Sequence, residues 1–538
     1  MGLGILEDKH LKHVPGTSIF STDPNAVAAA AFDGVDLSTL KRKGDIILVP
    51  QPTADPNDPL NWSAAKKWGN FMVLTAGTVM CGALGPLLSA GQVDLAEQYN
   101  VSLSAISRAL GTSLVSCLAI STIFWAAIST KIGKRPVYVA ATCFMLIGTI
   151  IAGEAKNYGT LLGSRIIQGI GQAPLEFLVG SSIAEQWHVH ERGVPVAIWT
   201  IALLNGINIT PPIAGAVYEN LGFRWCWRIF SIGTAVLLLV QLVFLPETTY
   251  KRSTHLPAVA SAPDVGLEKG DLDHVERSSA PSLKQKTFVQ EMKLYNGIFE
   301  RERSFLGLLL EPFKMAISPV VLFAVALYGL AITFLVLVAT GSAQIFVGTY
   351  NFSTAAVGNT YVSALVADFI AAALAGTLTD WTAARLSRRN SGTFEPEYRL
   401  PLAIFYLVFG GMGFFGFGIC VARGTSYWGP IIFFGILNFG ITIGCHAIIA
   451  YVVECHRHSS DAALGAVIFG KNALSAIFTS FTNNWLASGI PMVFYAMGIM
   501  AVGTSLLALP MWVFGKRVRS WITRTLHVEK EEKTAVAS

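Results

Sequence analysis

The chain has 538 residues, of which 52% are hydrophobic and only 14% charged. Soluble domains carry about 25% charged residues, so composition points to a membrane protein. The net charge of +5 comes with no Lys/Arg block interleaved with aromatics, which argues against nucleic acid as a partner.

In chain order, residues 1–67 read as a mostly disordered, cytosolic N-terminal tail, polar and unlike a secretory signal peptide. Stretches of about 20 apolar residues, enough to cross roughly 30 Å of hydrocarbon, then recur. They place helices over 68–90, 104–129, 137–154, 160–184, 195–218 and 226–246, and again over 318–341, 354–379, 400–421, 429–452, 463–486 and 491–514. The implied division is a six-helix bundle over 68–250, a charged linker over 251–313, a second six-helix bundle over 314–515 and a tail over 516–538. The linker reads as a flexible tether, with a short surface helix near Val289–Arg303 as the alternative. This 6 + 6 plan is an all-α membrane fold of two pseudo-symmetric bundles around a midplane cavity.

Orientation follows the basic loops. Lys131, Lys134 and Arg135 follow helix 2, Arg385, Arg388, Arg389 and Arg399 follow helix 8, and Lys516, Arg517, Arg519 and Arg524 follow helix 12. Loops 91–103, 342–353 and 487–490 have no basic residue. Twelve crossings with both termini cytosolic put every basic loop on one side. Of the Asn-x-Ser/Thr sites, only Asn100 and Asn351 then reach outer loops, as glycosylation candidates close to the membrane. The seven cysteines are scattered, mostly within apolar runs, and suggest neither a disulfide framework nor a metal site.

Four polar motifs interrupt the helices. The loop after helix 2 reads Lys131-Ile132-Gly133-Lys134-Arg135-Pro136, a tight basic turn; its counterpart is Gly376-Thr-Leu-Thr-Asp380, followed by Arg385. A carboxylate at one helix end near cations on a neighbour can latch the cytosolic sides of the halves and gate a rocking bundle. Helix 4 carries Arg165-Ile-Ile-Gln168-Gly169-Ile-Gly171, with Glu176 on roughly the same face three turns on. Helix 5 carries Gly206-Ile-Asn208-Ile-Thr210-Pro211-Pro212-Ile-Ala214-Gly215, a small-residue face bent by proline.

These motifs resemble signatures A, B and C of the major facilitator superfamily. The first A copy departs from G-x-x-x-D-R-x-G-R-R at Ala126 and Thr130, which puts the carboxylate half of its latch in question. Further fragments resemble the fungal drug:proton antiporter-like branch. They are Asp58-Pro59-Leu60-Asn61-Trp62-Ser63, His190-Glu191-Arg192-Gly193, Leu245-Pro246-Glu247-Thr248-Thr249-Tyr250, Glu395-Pro396-Glu397-Tyr398-Arg399-Leu400 and Tyr451-Val-Val-Glu454. The resemblance implies the twelve-helix fold, proton coupling through Arg165 and, from signature C, antiport-type export.

Ionisable groups inside membrane helices are functional candidates by default. Arg165 is read either as a coupling residue or as a clamp on loop carbonyls near an interface. Glu176 and Asp368 lead as binders of a proton or a cation, because burial disfavours a charged carboxyl and lets it exchange a proton during a cycle. Either acid can equally clasp a neighbouring helix. Lys471 is read as snorkelling to the interface, with a counter-charge role as the alternative. Gln168, Asn205, Asn208 and Pro211 complete the candidate pathway, with His446 next because imidazole titrates near neutrality.

The functional expectation is a proton-coupled secondary transporter at a plasma or vacuolar membrane, exporting a small organic molecule by alternating access. Two alternatives stay open: a proton-coupled importer of a cation such as a polyamine or of another nutrient, and a non-transporting nutrient sensor. No phosphate-binding G-x-x-x-x-G-K-[ST] loop or nucleophile cluster suggests an ATPase or another enzyme. No cofactor is expected. The expected partners are a small-molecule substrate, protons and the lipid bilayer, with the chain acting as a monomer.

Overall fold

The computed structural model describes residues 3–11, 14, 16–19, 41–43, 46–48, 50–53, 55–188, 191–250, 285–301, 303–390, 393–456 and 460–526. Within them the chain forms twelve long helices: α1 (Ala64–Leu84), α2 (Leu103–Ile132), α3 (Lys134–Gly153), α4 (Tyr158–Gln186), α5 (Gly193–Leu221), α6 (Phe223–Phe244), α7 (Pro319–Tyr350), α8 (Val362–Arg389), α9 (Pro396–Ala422), α10 (Trp428–Cys455), α11 (Ser460–Ala487) and α12 (Ile490–Leu506). Ten spans are apolar enough to cross a membrane by length and composition alone. The other two helices, α1 and α4, are long enough but diluted by polar residues; α4 holds Arg165, Glu176 and Glu185.

Local chemistry sets the ends of these helices. The Ser63 hydroxyl accepts from the Lys66 N–H to start α1, and the Asn157 side chain accepts from the Thr160 N–H at 2.8 Å to start α4. Gly133 (φ 95°) turns the chain from α2 into α3 in a conformation only glycine adopts without strain. The helices bury two main apolar clusters, one drawn from residues 71–245 and the other almost wholly from 315–522, so each half has its own core. Large apolar side chains such as Ile232, Leu239, Ile370 and Ile499 point outward, as a lipid-facing surface requires.

Three regions outside the spans differ from expectation. Residues of the N-terminal tail dock onto the second half, correcting the expected disorder of 1–67 there. The Leu6 N–H donates to Val513 O at 3.0 Å, Trp512 Nε1 donates to Leu3 O at 3.2 Å, and strand β1 (Ser18–Ile19) pairs with Thr393–Phe394. Residues 20–40 lie outside the described residues, as do 251–284 of the linker and His190. The remainder of the linker packs on the first half: Lys66 pairs with Glu291 at 2.6 Å and the Phe299 N–H donates to Lys131 O at 2.8 Å. The surface helix read as the alternative near Val289–Arg303 appears as a single turn, Phe288–Glu291, with a longer helix at Phe305–Met315. After α12 the chain turns at Leu507 and continues as a helix over Ala508–Leu526, so the basic residues expected in a tail sit on a helix. Residues 527–538 lie outside the described residues.

Candidate functional site between the halves

The end of the bundle that carries the linker is called the linker face, and the opposite end the far face. On the far face the halves join helix to helix. Asn483 Nδ2 donates to Ser107 Oγ at 2.7 Å, Ser107 donates to Gln92 Oε1 at 2.6 Å, and Thr354 Oγ1 donates to Asp94 Oδ2 at 2.9 Å. Glu219 at the end of α5 accepts from Ser353 Oγ and from the Ala355 N–H. The small-residue face of α5 works as its sequence suggests. A Cβ on Gly206 would lie 2.6 Å from Val79 O of α1, and Gly358 abuts the Pro211 carbonyl, so the backbones touch.

Two buried polar bridges cross deeper in the bundle. The first joins α4 to α11: Lys471 Nζ pairs with the Glu176 carboxylate, and the two side chains are only 7% and 9% exposed. This corrects the snorkelling expected of Lys471. Its ammonium turns inward because a buried carboxylate on the facing helix repays its desolvation. The second bridge joins α5 to α8 and α10. Asp368, 1% exposed, accepts from Asn208 Nδ2 at 2.5 Å and from Thr442 Oγ1 at 2.7 Å. Among the described residues no cation pairs with it.

Asp368 lies at a cleft with about 370 Å³ of empty space, open solvent included. Asn205, Thr200, Ala372, Gly376, Thr442 and His446 contribute to its walls. Asn205 Nδ2 donates back to Ile201 O at 3.0 Å, while the Oδ1 atoms of Asn205 and Asn208 meet no protein donor among the described residues. The cleft therefore gathers Asp368, Asn205 and His446 from the sequence candidates and brings Asn208 to its edge through the carboxylate. Gly376, expected in a latch, lines the cleft instead. Thr442 and Thr200 were missed, since a lone threonine in an apolar helix carries no signal until its neighbours are known.

Arg165 is buried in the first half, away from this cleft. Nε and Nη2 both donate to Leu110 O, at 3.0 and 2.5 Å, Nη1 donates to Leu84 O and Gln168 Oε1, and Nη2 donates also to Gly85 O. Leu110 sits in a π turn of α2, Arg108–Thr112, and Leu84–Gly85 end α1. The guanidinium thus ties the ends of three helices, with the Trp227 ring 5.4 Å away. Gln168 acts as one of its acceptors.

On the linker face, the ion pairs Lys134–Glu185, Arg399–Asp380 and Arg399–Glu454 of the signature A regions each lie within one half. In the first, Lys134 pairs with Glu185 at 2.8 Å, and Glu247 accepts the backbone N–H groups of Lys134 and Arg135 at 3.0 and 3.1 Å. Glu247, from the Leu245-Pro246-Glu247 fragment, thereby supplies a carboxylate beside the loop where Thr130 replaces one. Lys131 donates to Arg303 O in the linker, and Arg135 Nη2 to Leu242 O at 2.9 Å. In the second half Arg399 pairs with Asp380 at 3.0 Å and Glu454 at 2.7 Å, and Arg385 lies over the Trp381 ring. Among the described residues Asp380, 83% exposed, pairs within its own half rather than across the halves. Asn100 and Asn351 are exposed, at φ 50° and 53°, and the serines of their Asn-x-Ser triplets cap the following helices.

A profile of the Major Facilitator Superfamily matches residues 69–479. The chain belongs to this superfamily of membrane transporters. It is 25% identical to Protein HOL1 of Saccharomyces cerevisiae, over 96% of this chain and 97% of that protein. It is 24% identical to the MFS-type efflux pump MFS2 of Trichophyton rubrum, over 86% of this chain and 74% of the other. Its fold matches the proton:xylose symporter XylE with a TM-score of 0.58 at 15% identity, covering 84% of this chain and 96% of XylE. As a superfamily member the chain is a multi-pass membrane transporter acting on small molecules.

Proposed function

We propose that the protein is a proton-coupled secondary transporter that exports a small organic molecule by alternating access, with the linker and both termini in the cytosol of a plasma membrane. The observation that carries this reading is Asp368: a carboxylate buried where the halves meet, held by two neutral donors and, among the described residues, by no cation. Such a group can take up and release a proton as water reaches it from alternate sides. Export is supported by the efflux pump among the relatives and by the signature C face of α5. The test is an accumulation profile of small organic molecules in cells with and without the gene, repeated with Asp368→Asn. Export predicts lower accumulation with the gene; the Asn variant should keep substrate exchange while losing gradient-driven flux. An Asn variant that retains full gradient-driven flux would remove Asp368 from the coupling step.

Uptake of an organic cation is a second reading, favoured by the polar chemistry around the carboxylate. Asp368 and the carbonyl oxygens of Asn205 and Asn208 are all acceptors, which suits an ammonium-bearing substrate. Higher accumulation of cations with the gene than without it would select this reading.

A further inference from the structure

The two signature A regions dispose of their cations differently. In the first half each cation of the turn meets protein: Lys134 pairs with Glu185, Lys131 donates to Arg303 O and Arg135 donates to Leu242 O. In the second half Arg399 takes up both Asp380 and Glu454. Arg385, Arg388 and Arg389, at the linker-side end of α8, are exposed and find no ion-pair or hydrogen-bond partner for their side chains among the described residues. Arg385 lies 5.2 Å over the ring of Trp381, itself 57% exposed.

These groups continue the outward side of α8. Val366, Ile370 and Leu374 are exposed four residues apart, and Trp381, Arg385 and Arg388 follow seven, eleven and fourteen residues after Leu374. Those spacings keep one side of a helix, so a single face passes from aliphatic to aromatic to cationic. Its depth is read from Asp368. That carboxylate bonds Asn208 and Thr442, which stand at the middles of α5 and α10, so it marks the mid-depth of the bundle. Trp381 and Arg385 lie thirteen and seventeen residues further along α8. At 1.5 Å per residue these are depths of about 20 and 26 Å. The hydrocarbon ends about 15 Å from the bilayer centre and the headgroups about 22 Å from it. Trp381 therefore stands at headgroup level, and the long Arg385 side chain reaches back towards it. Arg388 and Arg389 stand just beyond, within the roughly 8–10 Å range of the surface charge.

We propose that the linker-side end of α8 is a binding site for an anionic phospholipid of the surrounding leaflet. The lipid phosphate is held by Arg385, with Trp381 as its seat, while Arg388 and Arg389 meet the remaining negative charge of the headgroup. The acyl chains lie along Val366, Ile370 and Leu374. Charge fits: three cations that lack a counter-charge in the protein face a leaflet that supplies one. Position fits as well, because the patch is continuous with the lipid-facing side of its own helix and carries an aromatic ring at headgroup depth. The proposal rests on the membrane placement of the fold. It is independent of the role given to Asp368 and of the direction of transport.

The experiment uses the full chain in mild detergent, titrated with dioleoylphosphatidylserine or dioleoylphosphatidylcholine, with bound lipid counted by native mass spectrometry. The parent should bind the serine lipid at least about tenfold more tightly, since each basic residue near an anionic surface is worth roughly fivefold. The variant Arg385→Gln/Arg388→Gln/Arg389→Gln should bring the two lipids to within about twofold of each other, at an unchanged thermal midpoint in detergent. Arg385→Gln alone should lose at least about threefold of the preference, and it carries the test if the triple variant does not reach the membrane. A parent without preference overturns the site. So does a triple variant that keeps the preference, because the lipid then binds elsewhere. Glycerophosphoserine, the headgroup without its chains, should displace little of the bound lipid. If it displaces phosphatidylserine at equal concentration, the patch takes a free phosphate anion and the lipid assignment fails. Lipid counting needs neither substrate nor gradient, so this site and the role of Asp368 can fail separately.

Discussion

Two buried carboxylates bridge the halves of this transporter, and they live under opposite conditions. Glu176, between α4 and α11, faces the ammonium of Lys471 and is electrically complete. Asp368, between α5 and α8, meets among the described residues only an amide and a hydroxyl, beside amide oxygens that find no donor there and at the edge of the cleft. Both are buried and both belong to helices of similar composition. The difference is the partner on the facing helix: a compensated charge holds helices together, whereas an uncompensated one is available to exchange a proton or meet a cation.

The same chemical change should therefore have unequal consequences at the two sites. Glu176→Gln alone, or Lys471→Met alone, strands a buried charge and should cost about 3–5 kcal/mol, read as a lower thermal midpoint in detergent and reduced membrane abundance. A single variant with wild-type stability would erase the distinction between the two acids.

A buried base that meets a neutral hydroxyl extends the comparison to the linker face. His456, just beyond α10, is nearly covered and its Nε2 meets Ser318 Oγ at 3.1 Å. Burial pushes its imidazole down from 6.5 to about 4. Above pH 6.5 the folded and unfolded forms are both neutral there, so no penalty arises. Below it the unfolded chain takes a proton that the folded one refuses, and stability falls as pH drops towards 4, by up to about 3 kcal/mol. His456→Gln should remove that part of the pH dependence, measured as thermal midpoint across pH 4–7. A profile identical to the parent would show that His456 is hydrated.

Smaller effects complete the series. Asp368→Asn removes no ion pair and keeps the shape, so its stability should stay within about 1 kcal/mol of the parent while gradient-driven flux is lost. A loss as large as that of Glu176→Gln would mean that Asp368 has a structural counter-charge after all. Asp380→Asn touches an exposed pair with Arg399 and should change stability by about 0–1 kcal/mol, with little effect on transport. A large loss of transport there would restore the latch role expected from its motif.

Much of the architecture was written in the sequence. Twelve apolar runs must each satisfy their own backbone in lipid, which leaves helices as the available form. Proline and glycine mark the turns, and the small residues Gly206 and Ala214 mark α5 as a face for close packing. Intramembrane ionisable residues announce themselves because they are costly, so Arg165, Glu176, Asp368 and Lys471 could all be named from composition alone. Their roles could not, because those depend on which residue of another helix lies opposite. Helix periodicity gives a direction for each side chain but not the rotation and depth of the partner helix. Only the folded arrangement set Lys471 against Glu176, gave Asp368 the neutral donors Asn208 and Thr442, closed five hydrogen bonds around Arg165, and brought Glu247 to the turn where Thr130 had replaced a carboxylate. Partners separated by 295 positions, as Glu176 and Lys471 are, share no local signal; tertiary packing alone decides that they meet.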